Sequence, residues 1–177
     1  MSRRGCSRNS RAKSRCYRGG MERDEELMRR AIDLARRGIA AGQSPFGAVV
    51  ARGETVLAEA HNGVLAETDP TAHAELRAVR AASRALGTID LSDCTIYSSC
   101  EPCPMCFGAI HWARLSRLVF GARIAHAARA GFHELAVSNE TLRELGGATI
   151  EIAPGVLEAE CAALFDEWRA GPDPRRY

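Results

Sequence analysis

The sequence predicts an α/β domain in three layers, with a mixed five-stranded sheet covered by helices on both faces. Three observations carry this. In the second half of the chain, short β-prone runs alternate with segments of helical periodicity, the order that produces parallel strands. Earlier, two β-prone runs joined by Gly53-Glu54 read as an antiparallel hairpin. At 177 residues, 46% of them apolar, the chain suits one domain with a sizeable core.

The first helix is predicted over Glu22–Ala41, where Leu27, Met28, Ala31, Ile32, Leu34, Ala35 and Ile39 recur at helical spacing before the stop signal Gly42. Gly47–Arg52 and Thr55–His61 form the hairpin. A second helix starts at Asp69-Pro70, with Asp as cap and Pro preset for the first turn, and ends at Gly87. Cys94–Ser99 is a strand, Pro102–Ala113 a helix, Arg117–Gly121 and Thr149–Ala153 strands, and Val156–Trp168 the last helix. Residues 124–147 show weaker periodicity and read as a loop plus a helix. No internal repeat is apparent.

Residues 1–20 hold seven Arg or Lys and no acid, so the net charge of +2 conceals a body with 17 basic against 22 acidic residues, about −5. Rich in Arg, Ser and Gly, this basic leader cannot bury enough apolar surface to offset its ordering entropy and is expected to be disordered. An organelle-type leader or a nucleic-acid-binding tail shares that composition; the simplest reading is an upstream start, with Met21 opening a domain over residues 21–177. The acidic body favours a small substrate over a polynucleotide. No run approaches the roughly 18 apolar residues of a membrane span, and no apolar h-region follows the first positive charges. Seven cysteines, three of them between Cys100 and Cys106, suit thiolate ligation in a reducing compartment, and the expectation is a cytoplasmic protein.

Chemistry concentrates in His73-Ala74-Glu75 and Pro102-Cys103-Pro104-Met105-Cys106. His73, Cys103 and Cys106 supply three ligands for Zn2+, one short of tetrahedral closure, and an open position marks a site that performs chemistry. The i, i+3 spacing puts both sulfurs on one helix face, at a helix start whose positive end favours thiolates. His73 and Glu75, two apart in the first turn of their helix, do not share a face, so Glu75 is left free as a general base for the attacking water. Taken alone, a His, a C-x-x-C or a helix-turn Glu is most often structural, redox or solvated; the combination is the signature of zinc deaminases. An iron-sulfur reading of Cys100, Cys103 and Cys106 lacks its fourth cysteine, and Cys100 reads as a packed spectator.

At these residues the chain resembles the cytidine deaminase superfamily, and within it the guanine deaminase-like nucleobase deaminases. The matching stretches are Ser44–Val49, Asp69–Glu75, Ser98–Cys106, Gly108–Arg114 and Ala130-Gly131-Phe132, within a similarity that spans Glu22–Tyr177. The resemblance implies a three-layer cytidine deaminase-like fold and a zinc-dependent hydrolytic deaminase domain over residues 21–177. It implies Zn2+ on His73, Cys103 and Cys106, Glu75 as proton shuttle, and a nucleobase substrate, guanine becoming xanthine with loss of ammonia. It also implies a homodimer whose C-terminal segment, ending in Tyr177, closes the pocket. Asn62, Phe46, Trp112 and Ala74 are implied as substrate contacts, although Asn62 reads equally as a turn residue before Gly63, and Phe46 and Trp112 equally as core. Where guanine deaminases carry an acid shortly before Ala-Gly-Phe, this chain has His126, either a base-recognising residue or a loop residue; Glu134 is a second source for that acid, and a pyrimidine or triazine base a second class of substrate. The tRNA wobble adenosine deaminases share Asp69–Glu75 and also resemble Phe120–Arg123 and Glu160–Leu164, which leaves tRNA as the alternative partner.

Overall fold

The computed structural model describes residues 10–175. Its five strands are β1 (Gly47–Arg52), β2 (Thr55–His61), β3 (Thr95–Cys100), β4 (Arg117–Ala122) and β5 (Glu151–Pro154). They lie in the order β2-β1-β3-β4-β5. β1 pairs antiparallel with both β2 and β3, while β3, β4 and β5 run parallel, the mixed sheet that the sequence predicts. The hairpin strands fall on the predicted residues because Gly53 takes a positive φ of 54° at the turn. Strands covered on both sheet faces lose the alternating pattern and read as continuous apolar runs, as β1, β3 and β4 do; β2 and β5 form the half-exposed edges.

Helices α1 (Ser10–Ala40) and α7 (Glu158–Arg169) pack together over one face. On the other face lie α3 (Ala74–Leu86) and, beside it, α4 (Pro104–Trp112), with α6 (Asn139–Gly146) against α4. A one-turn helix α2 (Val64–Glu67) and α5 (Ile124–Ala130) complete the chain. Leu27, Met28, Ala31, Ile32 and Ala35 of α1 are all buried, as their spacing requires. Among the described residues, no helix is long and apolar enough to cross a membrane.

α1 begins at Ser10, so residues 10–20 of the expected disordered leader carry helical backbone, while residues 1–9 lie outside the described residues. Extending a helix that is already nucleated adds one hydrogen bond per residue fixed, which favours continuing it toward the N-terminus. Residues 124–147 hold two short helices rather than one. α5 is closed at its start by a capping box between Arg123 and His126, and α6 by the Ser138 hydroxyl, which accepts from Thr141 N.

The two helices of the motif begin later than their prolines suggest. Asp69 Oδ1 accepts from the Thr71 N–H at 2.7 Å, closing a turn, and α3 starts only at Ala74, with His73 as its N-cap. Likewise Pro104, not Pro102, occupies the first turn of α4, and Cys103 is its N-cap. A proline's fixed φ suits a turn as well as a first helical turn, so the proline alone does not choose between them.

Gly47 opens β1 where the strand meets α1. A Cβ there would stand 2.1 Å from Ala31 O and 2.7 Å from Ala35 N, both rigid backbone atoms. Gly47→Ala is therefore expected to destabilise the fold by about 3 kcal/mol or more, since overpacking against backbone has no side chain to yield. The urea midpoint of the variant checks this.

Candidate metal centre and active site

The site forms where β3 ends and the sheet passes from antiparallel to parallel pairing, at the carboxyl ends of the parallel strands. Two helix starts converge there. His73 and Cys103 both hold extended N-cap conformations, φ −64°, ψ 151° and φ −63°, ψ 165°, and Cys106 follows one turn into α4. His73 Nδ1 lies 3.7 Å from Cys103 Sγ and 3.5 Å from Cys106 Sγ. All three ligand atoms fall within 4.8 Å of one another.

Those separations fit a metal. A tetrahedron with Zn–N about 2.0–2.1 Å and Zn–S about 2.3 Å has an N···S edge of about 3.6 Å. The donor set of one imidazole and two sulfurs, with Glu75 outside it, leaves a fourth position for a non-protein ligand. The Cys103 thiol is drawn down to about 4, first by its hydrogen bond with Cys106 and then by the one with His73, against burial. It is thus disposed to be the thiolate that ligation requires.

Glu75, in the first turn of α3, is almost fully buried. Its Oε1 accepts the Ser98 hydroxyl at 2.9 Å and its Oε2 stands 3.5 Å from Cys106 Sγ. Two residues apart within one helix, His73 and Glu75 would face different ways; because His73 is extended rather than helical, both reach the same cleft. Burial pushes the Glu75 carboxyl up, while His73 and the Ser98 hydrogen bond pull the other way. The neighbouring Ser99 accepts the N–H of Gly47 at 3.0 Å and ties the start of β1 to the same strand end.

Residues 21–122 match the cytidine and deoxycytidylate deaminase zinc-binding region, a span that contains every one of these groups. The chain belongs to that deaminase family. Guanine deaminase of Bacillus subtilis (strain 168) is 40% identical over 154 residues, covering 86% of this chain and 98% of that protein. The tRNA-specific adenosine deaminase of the same organism is 36% identical over 145 residues, 82% of this chain and 88% of that one. Among solved structures, guanine deaminase from Nitrosomonas europaea superposes with a TM-score of 0.76 at 33% identity, covering 82% of this chain and 84% of that one. A member of this deaminase family with these relatives has the cytidine deaminase-like fold predicted from its motifs.

The deaminase's cleft is lined by Phe46, His73, Glu75, Glu101, Cys103 and Glu134. Phe46 stands there, edge-on to Phe132 and Phe165. Asn62 is buried behind it. Its N–H donates to Phe46 O, its Oδ1 accepts from Val64 N, and the next residue, Gly63, donates to Ala72 O just before His73. Ala74, fully buried, opens α3 between His73 and Glu75. Tyr177 lies outside the described residues.

Two expected contacts are placed elsewhere. Trp112 is 80% exposed at the last turn of α4, where the apolar sequence of the helix gives no hint of which side faces outward. His126 does not line the cleft. Its Nδ1 accepts from Arg123 N at 3.0 Å to cap α5, and its Nε2 lies 3.9 Å from Glu158 at the start of α7. Glu134 does line the cleft, with its carboxyl pushed up by burial. Sequence reasoning missed Ser98, Glu101 and Asn139. Glu101 carried a signal, being an acid two residues before a ligand at a strand end.

Proposed function

We propose that this deaminase acts on a free nucleobase, guanine first, converting it to xanthine and ammonia with zinc on His73, Cys103 and Cys106. The observation that carries the reading is Glu75, with one carboxylate oxygen pinned by Ser98 and the other turned to the ligand cluster. A zinc ion, when bound, supplies Lewis acidity that makes water a nucleophile near neutral pH. Glu75 takes a proton from the attacking water as its oxygen bonds to the amine-bearing ring carbon, and delivers that proton to the adjacent ring nitrogen. It then moves the remaining hydroxyl proton to the amine, the C–N bond breaks, and ammonia leaves as the carbonyl forms. Fixing one oxygen through Ser98 holds the carboxylate in place for both transfers without reorganisation.

Glu134 selects the base in this reading. A carboxylate accepts from the ring N–H of guanine, where adenine presents a bare acceptor nitrogen. A hydrogen bond to a charged group contributes about 1.5–3 kcal/mol, so Glu134→Gln is expected to raise KM for guanine about 10- to 100-fold with kcat much less changed. Steady-state kinetics checks it.

The deciding experiment is ammonia release by the zinc-loaded protein from guanine, cytosine, isocytosine, adenine and an aminotriazine, with a tRNA carrying a wobble adenosine alongside. Turnover of guanine supports the assignment. Turnover of another base alone moves the substrate, and activity on tRNA alone replaces the reading with the second one, which rests on the 36% identical tRNA-specific relative. Against that second reading stands the acidic body of the chain.

The same reading includes a cytoplasmic homodimer. α4 is apolar on nearly every side yet turns Met105 and Trp112 outward, and a helix of that kind is ordinarily covered. Sedimentation equilibrium is expected to give twice the chain mass, and a monomer would remove the second copy from the proposal.

A further inference from the structure

Glu134 sits in residues 131–138, a stretch with neither helix nor strand between α5 and α6. Its ends hold it. On one side Phe132 packs against Phe46, Phe165 and Trp168, with ring centroids 5.1, 6.1 and 4.9 Å away. On the other, α6 begins at Asn139, which is fully buried.

What fixes Asn139 is Glu101. This carboxylate, buried in the connection from β3 to Cys103, accepts the N–H of Asn139 at 2.9 Å on Oε1 and the N–H of Ile124 at 3.2 Å on Oε2. Its two oxygens thus take the first N–H of both helices that bracket the Glu134 segment. Asn139 Nδ2 donates to Pro102 O at 2.7 Å, and Glu101 N donates to Ala122 O at 2.7 Å, so the whole connection is tied down. A buried carboxylate is costly unless hydrogen-bonded, and placing one here favours the single arrangement in which both helix starts reach it.

We propose that Glu101 is a positioning residue for base recognition. It clamps both helices that bracket residues 131–138 to the connection that carries Cys103, and so sets Glu134 at a fixed place relative to the ligand cluster. The inference rests on the reading of Glu134 given above and adds what makes that carboxylate effective. Glu101, although at the cleft wall, already spends both oxygens on backbone N–H groups and is not offered to substrate.

Glu101→Gln tests it, because an amide accepts through one oxygen and turns a donor toward the other N–H. Zinc content by metal analysis is expected to match the parent. KM for guanine is expected to rise about tenfold or more, with kcat within about threefold, the mark of lost uniform binding. Adding Glu101→Gln to Glu134→Gln is expected to raise KM no further, since the clamp acts through Glu134. Additive effects, or a fall in kcat with KM unchanged, overturn the proposal.

Hydrogen exchange gives a reading that needs no substrate. Amides of residues 131–139 are expected to exchange about tenfold faster in Glu101→Gln, with β3 and α4 unchanged. Unchanged exchange there overturns the clamp. If Glu101→Gln fails to fold, Asn139→Ala, which removes only the tie to Pro102, is expected to move exchange and KM the same way by less, and no movement of either sinks the idea. If the parent does not turn over guanine, the substrate assignment falls and the exchange result still decides the clamp.

Discussion

Glu75→Gln is expected to bind zinc like the parent and to lose about 10³-fold in kcat, within the range that a positioned general acid–base group contributes. The substitution is nearly isosteric, and Glu75 is not one of the three clustered ligands, so neither metal nor packing should change. An amide still accepts the Ser98 hydroxyl that now reaches Oε1 at 2.9 Å. What it cannot do is take and return a proton, and the reaction requires two such transfers through one group. Removing a buried carboxyl that burial already pushes up should leave stability level or slightly raised. The measurement pairs metal content with single-turnover ammonia release from guanine. Turnover near the parental rate at full zinc occupancy would place the proton transfers on another group, and the chemistry proposed for this cleft would have to be rebuilt around it.

What the sequence revealed and what it withheld divide along the range of the interactions involved. β1 and β2 were legible to the residue because a hairpin is local, two β-prone runs and a Gly at a positive φ. The clustering of His73, Cys103 and Cys106 was legible because such spacing records chemistry rather than conformation. The starts of α3 and α4 were misplaced because His73 and Cys103 occupy N-caps with extended backbone, a state chosen by the meeting of two distant helix ends. That meeting also undid the argument that Glu75 and His73 must face apart. Where Trp112 and His126 point is set by the docking of α4 and the capping of α5, which no local pattern records. Glu101 has the opposite character. Its partners, Ile124 and Asn139, are 23 and 38 residues away, beyond the reach of any local pattern.

Removing the metal, or one of its ligands, should separate the stability of the site from that of the core. Cys103 is the informative position because it is only half-buried, so Cys103→Ala opens little cavity. Cys106, fully buried, would confound both effects. A ligand bound to the native state at a thousandfold excess over its Kd stabilises by about 4 kcal/mol. For a chain of this size each kcal/mol moves Tm by about 2–4 °C, so zinc is expected to raise the parental Tm by roughly 8–16 °C. Cys103→Ala should lose that increment and lie close to the parent treated with chelator. Activity disappears with the metal, but the thermal comparison carries the argument because it does not depend on the substrate. If Cys103→Ala kept the full zinc-dependent rise in Tm, the metal would be held by other groups, and the cluster of His73, Cys103 and Cys106 would not be the centre of this site.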